Sequence, residues 1–105
     1  MWILRSTDPD LPVTFRLLPG TNKTLGRAQA ADFIVDAALV SRVHCRFTLD
    51  ETGLGVEDLD STNGTWVNGR RIQRAPLVEG DKIKIGRVEF TVTGGTAENS
   101  RAEGR

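Results

Sequence analysis

The sequence predicts an all-β fold, a β-sandwich, and three observations carry that prediction. Nearly every apolar segment alternates with polar residues at a period of two, the period of a strand with one buried face. The segments are short and divided by turn chemistry at Pro19-Gly20, Thr52-Gly53, Asn63-Gly64, Asn68-Gly69, Gly80-Asp81 and Gly86. The one helix-like patch, Ala28 to Asp32, is too short to hold as a helix and reads as a turn. Frequent turns between many short strands imply two packed sheets.

In chain order, Trp2 to Arg5 is the first strand. Val13, Phe15 and Leu17 then alternate with Thr14 and Arg16, and Thr24-Leu25-Gly26 follows as a further strand. Phe33-Ile34-Val35 is a continuous apolar run, which predicts a strand buried on both faces. Val43, Cys45, Phe47 and Leu49 alternate with His44, Arg46 and Thr48, placing His44 on the polar side of its strand. Asn68-Gly69 tolerates positive φ at both central turn positions and predicts a tight hairpin between Thr65–Val67 and Arg71-Ile72. Ile83 and Ile85 alternate with Lys82 and Lys84, and Val88, Phe90 and Val92 with Glu89, Thr91 and Thr93. The domain is expected to cover residues 1–93, with residues 94–105, polar and poor in apolar side chains, as a flexible tail or linker.

The chain has 105 residues, enough for one domain that buries roughly two-thirds of its unfolded surface. Lys+Arg and Asp+Glu both number 14, and a zero net charge argues against nucleic-acid binding by bulk charge while leaving room for a small basic pocket. Eleven of those cations are arginine, which suits planar, bidentate anion contacts and equally a compositional bias. Cys45 is the only cysteine, so there is no internal disulfide and no thiol pair for a metal. It reads as a small buried hydrophobe in a reducing compartment. No apolar h-region opens the chain, and no apolar stretch reaches the roughly 20 residues that span a bilayer. The expected location is intracellular: cytoplasmic, or nuclear in a eukaryote.

Two strings carry chemistry: Ser41-Arg42-Val43-His44, and Ser61-Thr62-Asn63-Gly64-Thr65 about twenty residues later. Both fall where a turn meets an alternating run, and both offer hydroxyl, amide or guanidinium donors with little apolar surface. Arg27, after Gly26 at the end of a predicted strand, adds a third donor, and the glycine leaves room for a ligand. Arginines, hydroxyls and Asn-Gly backbone on neighbouring loops suit a multivalent oxyanion, phosphate above all. Each feature also has a plain explanation: a solvated surface arginine, a serine at strand entry, an Asn-Gly turn. The Asn63 amide offers a donor and an acceptor, which matches the backbone of an extended peptide. Ser41 and His44 with Asp58 or Asp60 invite a nucleophile-and-base reading, a small serine hydrolase, but no nucleophile elbow or oxyanion motif surrounds Ser41. No phosphate-binding P-loop or dinucleotide fingerprint is present, and one histidine and one cysteine do not make a metal set.

Taken in order, Gly26-Arg27, Ser41-Arg42-x-His44, Asp58-Leu59-x-Ser61-Thr62-Asn63-Gly64-Thr65, Asn68-Gly69 and Gly80-Asp81-x-Ile83-x-Ile85-Gly86 resemble the forkhead-associated (FHA) domain, with a match running from about Thr24 to Val92. That resemblance implies a twisted antiparallel β-sandwich of about eleven short strands that binds phosphothreonine peptides on loops at one end. By that likeness Arg27, Ser41 and Arg42 hold the phosphate, Thr62 shapes the phosphothreonine pocket and Asn63 holds the peptide backbone. Gly26, His44 and Gly64 brace the loops. Asp60 stands where the family commonly has glycine and brings a carboxylate near the anion, and Leu39 suggests an apolar preference after the phosphothreonine; both are specificity positions. The implied function is phosphothreonine-dependent peptide recognition in Ser/Thr-kinase signalling, not catalysis. The partner is a phosphothreonine protein or peptide, a Ser/Thr kinase or its substrate, with no cofactor, metal, nucleic acid or membrane. The alternative is a degenerate FHA fold used for phosphate-independent assembly.

Overall fold

The computed structural model describes residues 1–94. These hold eleven strands and no helix: β1 (Trp2–Ser6), β2 (Thr14–Leu17), β3 (Asn22–Gly26), β4 (Phe33–Ile34), β5 (Cys45–Asp50), β6 (Gly53–Asp58), β7 (Thr65–Val67), β8 (Arg70–Ile72), β9 (Arg74–Leu77), β10 (Lys82–Ile85) and β11 (Val88–Gly94). They form a six-stranded sheet, β2-β1-β11-β10-β7-β8, and a five-stranded sheet, β4-β3-β5-β6-β9. Every pairing is antiparallel except β3 with β4.

Alternation decides what each sheet buries. Leu4, Leu17, Ile83, Ile85, Val88, Phe90 and Val92 of the first sheet meet Leu25, Cys45, Phe47, Leu49, Leu54, Val56 and Leu77 of the second in one core. Burying a side chain of this size contributes about 1.5–3 kcal/mol, which makes the sandwich interior the main source of stability. At one side Phe15 of β2 stacks on Phe33 of β4 (centroids 4.5 Å apart), so edge strands of the two sheets close over the core. The β7–β8 hairpin turns through Asn68 (φ 50°) and Gly69 (φ 85°), as the dipeptide predicts. Asn68 does more than turn: its side chain accepts from Lys82 N and donates to Asp81 Oδ1, tying the hairpin to the start of β10.

Several expectations need correction. Phe33-Ile34-Val35 is not a strand buried on both faces: β4 is a two-residue edge strand, Ile34 is exposed, and only Val35 is fully enclosed. The strand expected from Val43 begins at Cys45, because Arg42 and Val43 bend. Alternation therefore does not govern His44, which is fully buried and not on a polar face. Gly94, expected in the tail, closes β11; the rest of the expected tail lies outside the described residues. Ala28 to Asp32 is indeed a turn, closed by Ala31 N donating to Ala28 O.

Candidate functional site

Three connections converge beside the β3 end: Gly26 into the 27–32 turn, residues 35–44 between β4 and β5, and residues 59–64 between β6 and β7. The first two are joined by backbone. Arg27 N donates to Ser41 O (2.9 Å) and Ala28 N to Arg42 O (3.1 Å). A Cβ on Gly26 would sit 2.0 Å from Arg42 O, so this position has to be glycine. The space it leaves is filled by that carbonyl and not by a ligand, which corrects the sequence expectation.

The second and third connections are joined through His44. Ser41 N donates to its Nδ1 (3.0 Å), and its Nε2 lies 2.9 Å from Gly64 O. A backbone N–H can only donate and a carbonyl only accept, so these partners assign the proton to Nε2. One buried ring thus spans both loops. Thr62 N donates to Ser41 Oγ (3.1 Å), and Asn63 Nδ2 to Leu39 O (3.1 Å), adding two more ties. Neither ring nitrogen faces the Ser41 hydroxyl, so Ser41, His44 and an aspartate do not form a catalytic relay here.

Asp58 organises the 59–64 loop from its base. The buried carboxylate accepts from Ser61 Oγ, Ser61 N (3.1 Å) and Thr65 Oγ1 (2.8 Å), and Ser61 Oγ in turn accepts from Gly64 N (2.9 Å). Burial pushes the Asp58 carboxyl upward, but hydrogen bonds from Ser61 and Thr65 outweigh it and hold the group below the usual carboxylate range. The loop passes through Asp60 at φ 59°. This left-handed conformation costs a glycine nothing and an aspartate little, which explains physically why glycine suits the position. The Cys45 thiol is pushed far up, first by burial and then by the Asp58 charge, and is inert.

The loops enclose an open cleft of about 510 Å³ lined by Arg27, Asp36 to Ser41, Thr62 and Asn63. It brings together Arg27, Leu39, Ser41, Thr62 and Asn63 of the residues expected from sequence. Arg42 is exposed at the cleft margin in sequence but is not in its lining, nor is Asp60. Gly26, His44 and Gly64 are buried behind it. Arg27 Nε donates to Val40 O (3.0 Å), leaving its terminal nitrogens without a partner among the described residues. Ser41 Oγ accepts one bond and keeps its proton to donate. Ala37, Ala38, Leu39 and Val40 give one apolar wall. Leu39 is held at φ 71°, and Gly86 fits against it so closely that a Cβ there would meet Val40 Cγ2 at 2.9 Å and Ala38 O at 3.0 Å.

Sequence reasoning missed Asp36, the carboxylate that does line the cleft, and the buttressing roles of Gly86, Ser61 and Thr65. It also missed Arg71, whose Nε would lie 2.5 Å from a Cβ on Gly64. Gly64, Ser61, Thr65 and Gly86 belonged to strings singled out in the sequence; Asp36 and Arg71 did not. Asp36 has no local signal, because its place depends on how residues 35–40 fold over the sheet end.

A family model described as the FHA domain matches residues 23–86. Among curated proteins, the chain is 39% identical over 79 residues to FHA domain-containing protein FhaA of Mycobacterium tuberculosis, covering 75% of this chain and 15% of that protein. It is 35% identical over 82 residues to the oxoglutarate dehydrogenase inhibitor of Corynebacterium glutamicum, covering 78% and 57%. A solved structure described as a structural and functional analysis of phosphothreonine-dependent FHA domain interactions superposes with a TM-score of 0.82 at 34% identity, covering 90% of this chain and 96% of that one. The chain spans well under two-thirds of the length of these two curated relatives.

Proposed function

Because the chain belongs to the forkhead-associated (FHA) domain family, we propose that it is a phosphothreonine-dependent peptide-recognition module serving Ser/Thr-kinase signalling inside the cell, and not an enzyme. The observation that carries this reading is the cleft. It sets the free end of the Arg27 guanidinium and the Ser41 hydroxyl beside Thr62 and Asn63, on loops cross-linked by His44 and Asp58. Donors held in this way need little ordering when an anion arrives.

In this reading Arg27 and Ser41 hold the phosphate, with Arg42 approaching from the exposed margin. Thr62, together with the apolar wall of residues 37–40, shapes the pocket for the threonine methyl. Asn63 spends one N–H on Leu39 O and keeps its amide oxygen and second N–H for the peptide backbone. Gly26, His44 and Gly64 position these groups without touching the ligand. Leu39 and Asp60 are specificity positions, and Asp36 joins them as the carboxylate inside the cleft. The module comprises residues 1–94, through the end of β11. Its partner is a phosphothreonine segment of a kinase or of a kinase substrate. Charge-assisted hydrogen bonds contribute about 1.5–3 kcal/mol each; three or four, less the cost of association, give a complex of about −8 kcal/mol, or micromolar.

Fluorescence anisotropy with a phosphothreonine peptide and its unmodified twin tests the reading. The modified peptide should bind and the plain one should not, and a glutamate mimic should fail for want of charge and of one acceptor oxygen. Equal affinity for the modified and plain peptides would sink it.

A further inference from the structure

The zero net charge of the chain conceals an uneven distribution between the two sheets. Outward-facing strand residues of the five-stranded sheet are balanced: Arg46 and Arg74 against Asp50 and Glu57, with Arg74 and Glu57 paired at 3.2 Å. The outer face of the six-stranded sheet is not. Register sets Arg16 beside Ile3, Arg5 beside Thr91, Lys82 beside Thr91, and Glu89 beside Lys84, then Trp66, then Arg71. Arg5, Arg16, Lys82, Lys84 and Arg71 are exposed there against a single carboxylate, Glu89, and none of the five is in an ion pair with another described residue.

This face runs into the loop cleft. Trp66 sits in its row with its indole Nε1 donating to the carbonyl of Asn63 (3.1 Å), and Arg71 packs over Gly64. Beside the tryptophan, Lys82, Lys84, Asn68 and Gly86 line a recess of about 480 Å³ that Glu89 closes on one side.

We propose that the outer face of the six-stranded sheet docks an Asp/Glu-rich segment of a protein partner, along a path from Arg71 across Trp66 to Lys84, down β10 to Lys82 and across Thr91 to Arg5. The assignment of that segment to the same polypeptide that carries the phosphothreonine rests on the function proposed above. Charge complementarity selects the occupant. The cations are spread over strands about 4.8 Å apart, so an extended segment of about seven residues reaches from one edge of the sheet to the other. Threonine hydroxyls at 14, 91 and 93 lie between them as further donors. A polyanion such as nucleic acid is drawn by net charge, which this molecule lacks, and read by several stacking aromatics, where this face has one. A bilayer needs apolar side chains to insert, and Ile3 and Trp66 are both half-buried.

Three probes on the whole chain test the proposal: an Asp/Glu-rich peptide of about ten residues without phosphate, a phosphothreonine peptide without acidic residues, and the two joined in one chain. The acidic peptide should bind weakly, shift the Trp66 indole N–H resonance, and lose its affinity as salt rises. Lys82→Glu with Lys84→Glu should cost the acidic and joined peptides about ten-fold and leave the plain phosphopeptide unchanged. Arg5→Glu, on a different strand, provides the same test if the double variant misfolds by circular dichroism. No binding of the acidic peptide at low salt would overturn the proposal. So would affinity that survives both charge reversals, or a duplex oligonucleotide or anionic vesicle that outcompetes the acidic peptide on this face. Retained acidic-peptide binding with no phosphopeptide binding would support this surface and count against the loop site alone.

Discussion

Removing the Arg27 side chain takes away an exposed guanidinium whose one internal hydrogen bond is from Nε to Val40 O. Removing the His44 side chain leaves Ser41 N and Gly64 O facing a void in a fully buried position. The two losses therefore differ in kind. Arg27→Ala should lower phosphopeptide affinity by at least about ten-fold, since a charge-assisted contact is worth 1.5–3 kcal/mol, with melting nearly unchanged. His44→Ala should cost about 2–4 kcal/mol of stability through the unpaired backbone groups and the cavity. For a domain of this size that lowers the melting temperature by roughly 10–20 °C, and affinity falls with it because two loops lose their common brace. Calorimetry and anisotropy on the two variants check both. An Arg27→Ala protein that binds normally, or a His44→Ala protein that melts like the parent and only loses binding, contradicts these roles.

Strand ends set where the loops can go, and Gly26 marks the tightest of them. Alanine there would drive its Cβ into the Arg42 carbonyl, forcing β3 and the 41–44 segment apart and breaking the bonds from Arg27 N and Ala28 N. Gly26→Ala should cost about 3 kcal/mol in urea denaturation and lose phosphopeptide binding, though no cleft-lining side chain has changed. The 59–64 loop is held by charge instead. The Asp58 carboxyl titrates lower in the folded chain than in the unfolded one, so its hydrogen bonds stabilise the fold above the unfolded carboxylate value, near 3.9, and that contribution is lost as pH falls through the lower folded value. Asp58→Asn should be less stable than the parent at pH 7, by about 2 kcal/mol, and the gap should narrow as pH drops below about 4; a gap constant from pH 7 to pH 2 would show that the ionised carboxylate is not what holds the loop. How much of this could be read from sequence follows from the same local physics. Strands with clean alternation, such as Lys82–Ile85 and Val88–Val92, were legible, as was the Asn68-Gly69 hairpin. Gly53–Asp58 and Arg74–Leu77 were not read as individual strands: glycines at 53 and 55 and a proline at 76 mask their period, and sheet pairing forms them regardless. The strings that frame the cleft were legible because hydroxyls, arginine and Asn-Gly at fixed spacing are unusual together. The burial of His44 was not, since two bent residues reset the face on which it lies.

At the scale of the whole molecule, the sandwich holds the cleft at one end, with polar donors from Arg27, Ser41 and Asn63 beside an apolar wall from Ala37 to Val40. A phosphothreonine presents both characters at once, the phosphate to the donors and its methyl to the wall, while phosphoserine presents only the first. Burying a methyl is worth about 0.8 kcal/mol by area. The β-branched side chain also has fewer rotamers to lose on binding, which adds to the difference. Phosphothreonine peptides should therefore bind several-fold more tightly than matched phosphoserine peptides. Salt separates the two contributions. Phosphate attraction in an open cleft is screened, over a Debye length of about 10 Å at 0.1 M falling to about 3 Å at 1 M, so absolute affinity should drop for both peptides. The methyl contribution is not electrostatic, so their ratio should hold. Titrating matched peptides that differ only at the phosphoresidue, at low and high salt, measures both quantities. Equal affinities would mean that no wall receives the methyl and that the cleft is a phosphate clamp alone; a ratio that vanishes with salt would place the discrimination in the charge and not in the wall.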